Sequence, residues 1–177
     1  TDMGILMVLI IILVFIVMAA QFESLVDPFV IMFSIPFAFT GIVLGLAVTQ
    51  TPLGVMALIG VIMLMGIVVK NGIVLIDYTI LYRERGMGII TSVVTAGKSR
   101  LRPVLMTTLT TVLGMIPMAV GTGEGSEMWR SMGMTVAWGL SVSTLITLII
   151  VPTVYAVFAA NGVKRRRRKI RKALRNN

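Results

Sequence analysis

The run Met3 to Ala20 (MGILMVLIIILVFIVMAA) is 18 residues long and holds no charged side chain. A stretch of that length and composition crosses the hydrocarbon core of a bilayer as a helix. Lipid offers no partner to a free amide or carbonyl, and a helix satisfies both within itself. Asp2 stands where a signal peptide would carry basic residues, so the run reads as a true span. The rest of the chain agrees. Of 177 residues 57% are hydrophobic and 13% charged, about half the charge of a globular domain, which excludes a soluble domain.

Four further spans follow. After the polar break Gln21–Asp27, Asp27 and Pro28 read as an N-cap and a proline at the first helical position, opening a span over 28–48. Pro36 is expected to bend it, and Gly41 with Gly45 to let a neighbouring helix approach closely. A third span covers 53–81; at roughly 29 residues it must tilt or project. The polar, basic stretch 82–102 has a middle, residues 88–94, that reads as a short cytoplasmic amphipathic helix on the membrane surface. A fourth span starts at Pro103 and ends near Val120, kinked at Pro117, whose missing amide leaves the Leu113 carbonyl unpaired. A Gly-rich acidic loop, 121–127, precedes a fifth span over 128–160. The fold class is thus all-α integral membrane. Residues 1–160 form the membrane domain and 161–177 a basic tail.

The net charge of +9 is uneven: nine of the 16 Lys and Arg fall in residues 164–175 (KRRRRKIRKALR) and five in 82–102. Basic loops stay cytoplasmic, so both segments are expected inside and Thr1 outside. The tail then meets anionic lipid rather than nucleic acid, since nothing else in the chain resembles a nucleic-acid module. An exported start with two residues before the first span is expected of a piece of a longer protein.

The chain has no Cys and no His, which removes disulfides, thiol chemistry, His triads and His metal sites. No phosphate loop, nucleophile–base pair or carboxylate pair is present, so an enzyme is not expected. The 14 Met are dispersed and read as adaptable packing rather than a metal box. Lys70 carries the most information. A lysine inside a span costs about 2.5–3.5 kcal/mol on insertion scales and is by default a functional residue with a partner to be named; the competing use is snorkelling to the interface. Asp77, seven residues on, lies on the same face but about 10.5 Å along the axis, too far for a salt bridge within one helix. Lys70 therefore needs a carboxylate from outside these spans. Thr107 and Thr111 share a face with Gly114, with Thr108 and Thr110 beside them; threonines in spans mostly bond their own backbone or a neighbouring helix. Arg100 and Arg102 stand at the cytoplasmic mouth of the fourth span.

Three long segments, Met18–Gly41, Leu58–Tyr78 and Gly97–Glu127, resemble the second-half membrane domain of RND-superfamily efflux permeases, most nearly the hydrophobe/amphiphile multidrug branch. The resemblance implies the last five helices of one six-span repeat. It implies a secondary active transporter, not an enzyme, in the bacterial inner membrane with a cytoplasmic C-terminus. Export would run on the proton-motive force with no cofactor and no metal. An intact permease of this kind would be a homotrimer, with a periplasmic adaptor and an outer-membrane channel. Its proton relay joins two adjacent aspartates on a span of the N-terminal half to a lysine, a threonine and an arginine. Lys70 matches the lysine of the GIVVKNGIVLID motif, Arg100 the first arginine of RLRP and Thr107 the first threonine of LMTT; Asn71 and Asp77 are candidate supporting residues. The aspartate pair and the substrate-binding porter domains have no counterpart in these residues. Two other readings stand beside it: a stand-alone membrane scaffold or accessory protein without transport, and an RND permease for metal cations.

Overall fold

The computed structural model describes the backbone of residues 2–175 and the side chains of residues 2–164. The chain is a bundle of helices, with no strand among the described residues. Helix α1 runs Asp2–Phe22, α2 Val26–Met32, α3 Ile35–Thr49, α4 Val55–Glu84, α5 Ile89–Val120 and α6 Ser126–Arg175. Five stretches are long and apolar enough to cross a membrane: α1, α2 with α3, α4, α5, and α6 as far as Lys164. The protein is therefore an all-α, multi-pass membrane protein. Side chains from residue 165 onward lie outside the described residues, and with them most of the expected lipid contact of the basic tail.

Local chemistry moves several boundaries. Helix α2 begins at Val26, not after Asp27, and its N-cap is Leu25 without a side-chain bond. Ser24 explains the earlier start, because its hydroxyl accepts the Val26 amide at 3.3 Å. Asp27 falls in the first turn, where a carboxylate suits the positive end of the helix dipole. Pro36 interrupts the second span rather than bending it. With no amide at 36 the Met32 carbonyl loses its helical partner. The chain closes α2 through Ser34, whose amide and hydroxyl both donate to the Ile31 carbonyl, at 3.0 and 2.6 Å, and α3 restarts with Pro36 in its first turn.

The stretch expected as a separate surface helix is the opening of α5, which continues through Pro103 to Val120. Packing carries the helix across the proline: Ser92, Val93 and Ala96 are buried before it and Val104 directly after it. Pro103 removes one backbone bond, to the Ser99 carbonyl, without ending the helix.

Helix α6 is the centre of the bundle and packs against α3, α4 and α5. Small residues set those distances. A Cβ at Gly41 would stand 2.7 Å from Val142 Cβ, and one at Gly45 would overlap Trp138. Gly139 of α6 admits Leu64 and Ile42 in the same way. The core between these helices is built from Ile31, Leu64, Val68, Leu75, Ile76 and Leu140, all nearly inaccessible. Helix α1 buries only Met18 and leans on the bundle through Met7, Ile11 and Val14.

Candidate functional site

Helix α4 presents polar residues on two faces. Ile59, Met63, Gly66, Lys70, Asp77 and Leu81 are exposed and recur at helical spacing, forming one uncovered stripe. Lys70 lies on that stripe, in a groove of about 330 Å³ between α1 and α4 lined by Leu13, Val14, Val17, Met18 and Ile73. No carboxylate lines the groove. Asp77 follows two turns later on the same exposed stripe. Asn71 turns the other way. It lines a small internal space with Val68 and Leu75 of α4, Val104 of α5, and Ser143, Thr144 and Thr147 of α6.

Arg100 of α5 reaches α4 through an aromatic face. Its guanidinium carbon lies 3.5 Å from the centre of the Tyr78 ring. The guanidinium is planar and weakly hydrated, so it stacks on a ring while keeping its charge. Its Nε is buried with no hydrogen-bond partner among the described residues. One turn beyond, Tyr82 meets the Ser99 hydroxyl at 3.1 Å.

The Tyr78–Arg100 contact fixes the register of the antiparallel α4–α5 pair. Seven residues back along α4 is Asn71 and seven on along α5 is Thr107, each about 10.5 Å from the contact. Thr107 thus lies at the depth of Lys70 and Asn71. It is exposed, and its hydroxyl donates to the Pro103 carbonyl at 3.0 Å. Thr111 does the same to the Thr107 carbonyl at 2.8 Å. Lys70, Thr107 and Asp77 are therefore on surfaces that this chain's own helices leave uncovered. Arg100 is half-buried between α4 and α5.

Sequence reasoning missed three features. Thr108, beside Thr107, is buried and shares a 3.1 Å hydrogen bond with Thr144 of α6. Tyr78 closes the segment Leu58–Tyr78 and has no role in the sequence reading. Arg83 donates from Nη1 to the Tyr155 hydroxyl at 2.9 Å, tying the end of α4 to α6, where a basic loop residue was expected. The signal for the first was present: Ser143, Thr144 and Thr147 are three hydroxyls within five positions of an otherwise apolar helix.

Comparison with known proteins places the chain. The profile of the AcrB/AcrD/AcrF family matches residues 1–159. The swarming motility protein SwrC of Bacillus subtilis (strain 168) is 42% identical over 160 residues, covering 90% of this chain and 15% of SwrC. The multidrug resistance protein MdtC of Erwinia tasmaniensis is 38% identical over 143 residues, covering 80% of this chain and 14% of MdtC. The crystal structure of a heavy metal efflux pump superposes with a TM-score of 0.80 at 29% identity, over 89% of this chain and 15% of the pump. The chain thus spans about 15% of the length of the relatives it matches. With five apolar helices in the same arrangement and a family match over nearly its whole length, the chain belongs to the AcrB/AcrD/AcrF family of RND-superfamily efflux permeases.

Proposed function

We propose that this chain forms the membrane-embedded part of a proton-driven efflux permease acting by drug/proton antiport, and that Lys70, Thr107 and Arg100 are the electropositive side of its proton relay. The observation that carries this reading is the position of Lys70: an ammonium on the uncovered stripe of α4, in an apolar groove without a carboxylate. A cation at such a depth is stabilised most by a carboxylate that faces it. Membrane spans beyond these residues supply that anion as carboxylates. While they are ionised they hold Lys70. When protons from outside neutralise them, Lys70 is released towards Thr107, and the helices shift. Arg100, stacked on Tyr78, holds positive potential at the inner end of the path, and Asp77 lies between the two cations along α4. The proton-motive force drives the cycle with no cofactor. The working assembly is a homotrimer in the bacterial inner membrane, with the C-terminus in the cytoplasm, joined to a periplasmic adaptor and an outer-membrane channel.

The test is transport by the native full-length protein in proteoliposomes with an imposed proton gradient. Lys70→Met is expected to abolish substrate-coupled proton flux while leaving the unfolding temperature close to that of the unaltered protein. A Lys70→Ala pump that still extrudes substrate under the gradient overturns the reading.

The similarity to the solved heavy metal efflux pump supports a second cargo, metal cations. The relay is the same in both readings and only the exported species differs. Efflux of a divalent cation in place of an amphiphile from the same vesicles decides between them.

A further inference from the structure

We infer that a single water molecule is bound inside the bundle between α4, α5 and α6, hydrogen-bonded to Thr147 and Asn71 and adjoining Ser143 and Thr144. Four observations carry this. Thr147 is 4% exposed, and its hydroxyl oxygen is buried without a hydrogen-bond partner among the described residues. That residue borders an internal space whose free volume of about 10 Å³ is the room for the centre of one water molecule. The polar side chains around it are all neutral: Asn71, Ser143, Thr144 and Thr147. Two of the hydroxyls are already engaged, Ser143 to the Leu140 carbonyl at 3.3 Å and Thr144 with Thr108 at 3.1 Å, yet each oxygen keeps accepting capacity.

The chemistry selects water over other occupants. The space is too small for an organic ligand. No charged side chain lines it, which disfavours a bare cation. An apolar void of this size would stay dry, but a buried hydroxyl without a partner is costly, and a carboxamide beside it offers both a donor and an acceptor. A water with two to four polar neighbours satisfies both groups.

The consequence is a hydrogen-bonded chain across three helices: Asn71 on α4, the water, the α6 hydroxyls, and Thr108 on α5. Asn71 is adjacent to Lys70, so any rotation of α4 that moves Lys70 must carry this water or break its bonds. The site itself depends on helix packing and not on proton transport, so its failure and the failure of the proposed relay are separate results.

The experiment joins a density map of the native full-length protein at about 2 Å with unfolding of two variants. The expected map has a peak at hydrogen-bonding distance, about 2.7–3.2 Å, from the Thr147 hydroxyl and the Asn71 carboxamide. Thr147→Val, which keeps the shape and removes the hydroxyl, is expected to lose the peak and to unfold about 2 °C or more below the native protein. Thr147→Ser is expected to keep the peak. An empty space, or Thr147 turned onto the Ser143 carbonyl, overturns the inference. So does a Thr147→Val protein that unfolds at or above the native temperature, the result expected when an unsatisfied buried hydroxyl is simply removed.

Discussion

The Arg100 guanidinium and the Tyr78 ring are stacked, 3.5 Å from carbon to ring centre, a partner that the sequence reading of Arg100 does not name. The contact belongs to a longer ladder. Tyr78 leans on Tyr82 with ring centres 6.4 Å apart, and Arg85 stands over Tyr82 at 5.9 Å. Two arginines thus flank two tyrosines where the α4–α5 pair meets its connecting loop. The ladder fixes the register that brings Thr107 to the depth of Lys70.

Removing the ring should loosen Arg100 without unfolding the bundle. Tyr78→Leu is expected to cost about 0.5–2 kcal/mol, the range for a cation–π contact, and Tyr78→Phe, which keeps the ring face, to cost less than half of that. Unfolding of the purified native protein in detergent measures both. Equal values for Leu and Phe would show that the stacking contributes nothing. Under the proposed relay, Tyr78→Leu also slows proton-coupled transport, because Arg100 is no longer held in place.

Thr107 separates folding from transport. Its hydroxyl is exposed and bonded to its own helix, so Thr107→Val is expected to change stability by no more than about 0.5 kcal/mol. In the proposed relay the same change removes a landing point for the Lys70 ammonium, and coupled proton flux should fall while Thr107→Ser retains it. Flux at the native rate in Thr107→Val would take Thr107 out of the relay.

The spans were legible because lipid demands long charge-free runs, and the small pair Gly41 and Gly45 correctly announced a close helix approach, which α6 makes through Val142 and Trp138. The phase of each helix was not legible. A helix apolar on every side has no periodic signal to say which face is buried, so only the packed partners separate exposed Thr107 from buried Thr108, or outward Lys70 from inward Asn71. Pro36 and Pro103 show the same limit. Each removes one backbone bond, yet one ends a helix and the other lies within one. The difference rests on whether Ser34 can close the turn before the proline and on whether packed residues flank it, as Ser92, Val93, Ala96 and Val104 do in α5.

Gly45 tests the close approach directly. A methyl group at this position overlaps the Cβ of Trp138, and both lie next to backbone that cannot retreat. Gly45→Ala is expected to cost about 1–3 kcal/mol through overpacking. Gly66→Ala is the matched control: it also lies within a span helix, but a Cβ there meets nothing within 4 Å, so stability should be unchanged or rise slightly. A Gly45→Ala protein as stable as Gly66→Ala would mean that α3 and α6 are not in contact along this line.

The Thr108–Thr144 hydrogen bond is suited to a double-mutant cycle, because both hydroxyls are buried and valine preserves their shape. Removing one hydroxyl leaves the other without its cross-helix partner, and the nearest acceptor on Thr144's own backbone is the Leu140 carbonyl. The Leu140 carbonyl it would seek already accepts from Ser143 at 3.3 Å, so that retreat is crowded. Thr108→Val and Thr144→Val are each expected to cost about 1 kcal/mol. The double variant should cost less than the two added together, by about 0.6 kcal/mol and at most about 1.7, the range for hydrogen bonds between membrane helices. Strict additivity would mean that the hydroxyls do not interact in the membrane. A coupling larger than the range would implicate a third group in the same network, and Asn71, on the far side of the internal space, is the nearest candidate to substitute next.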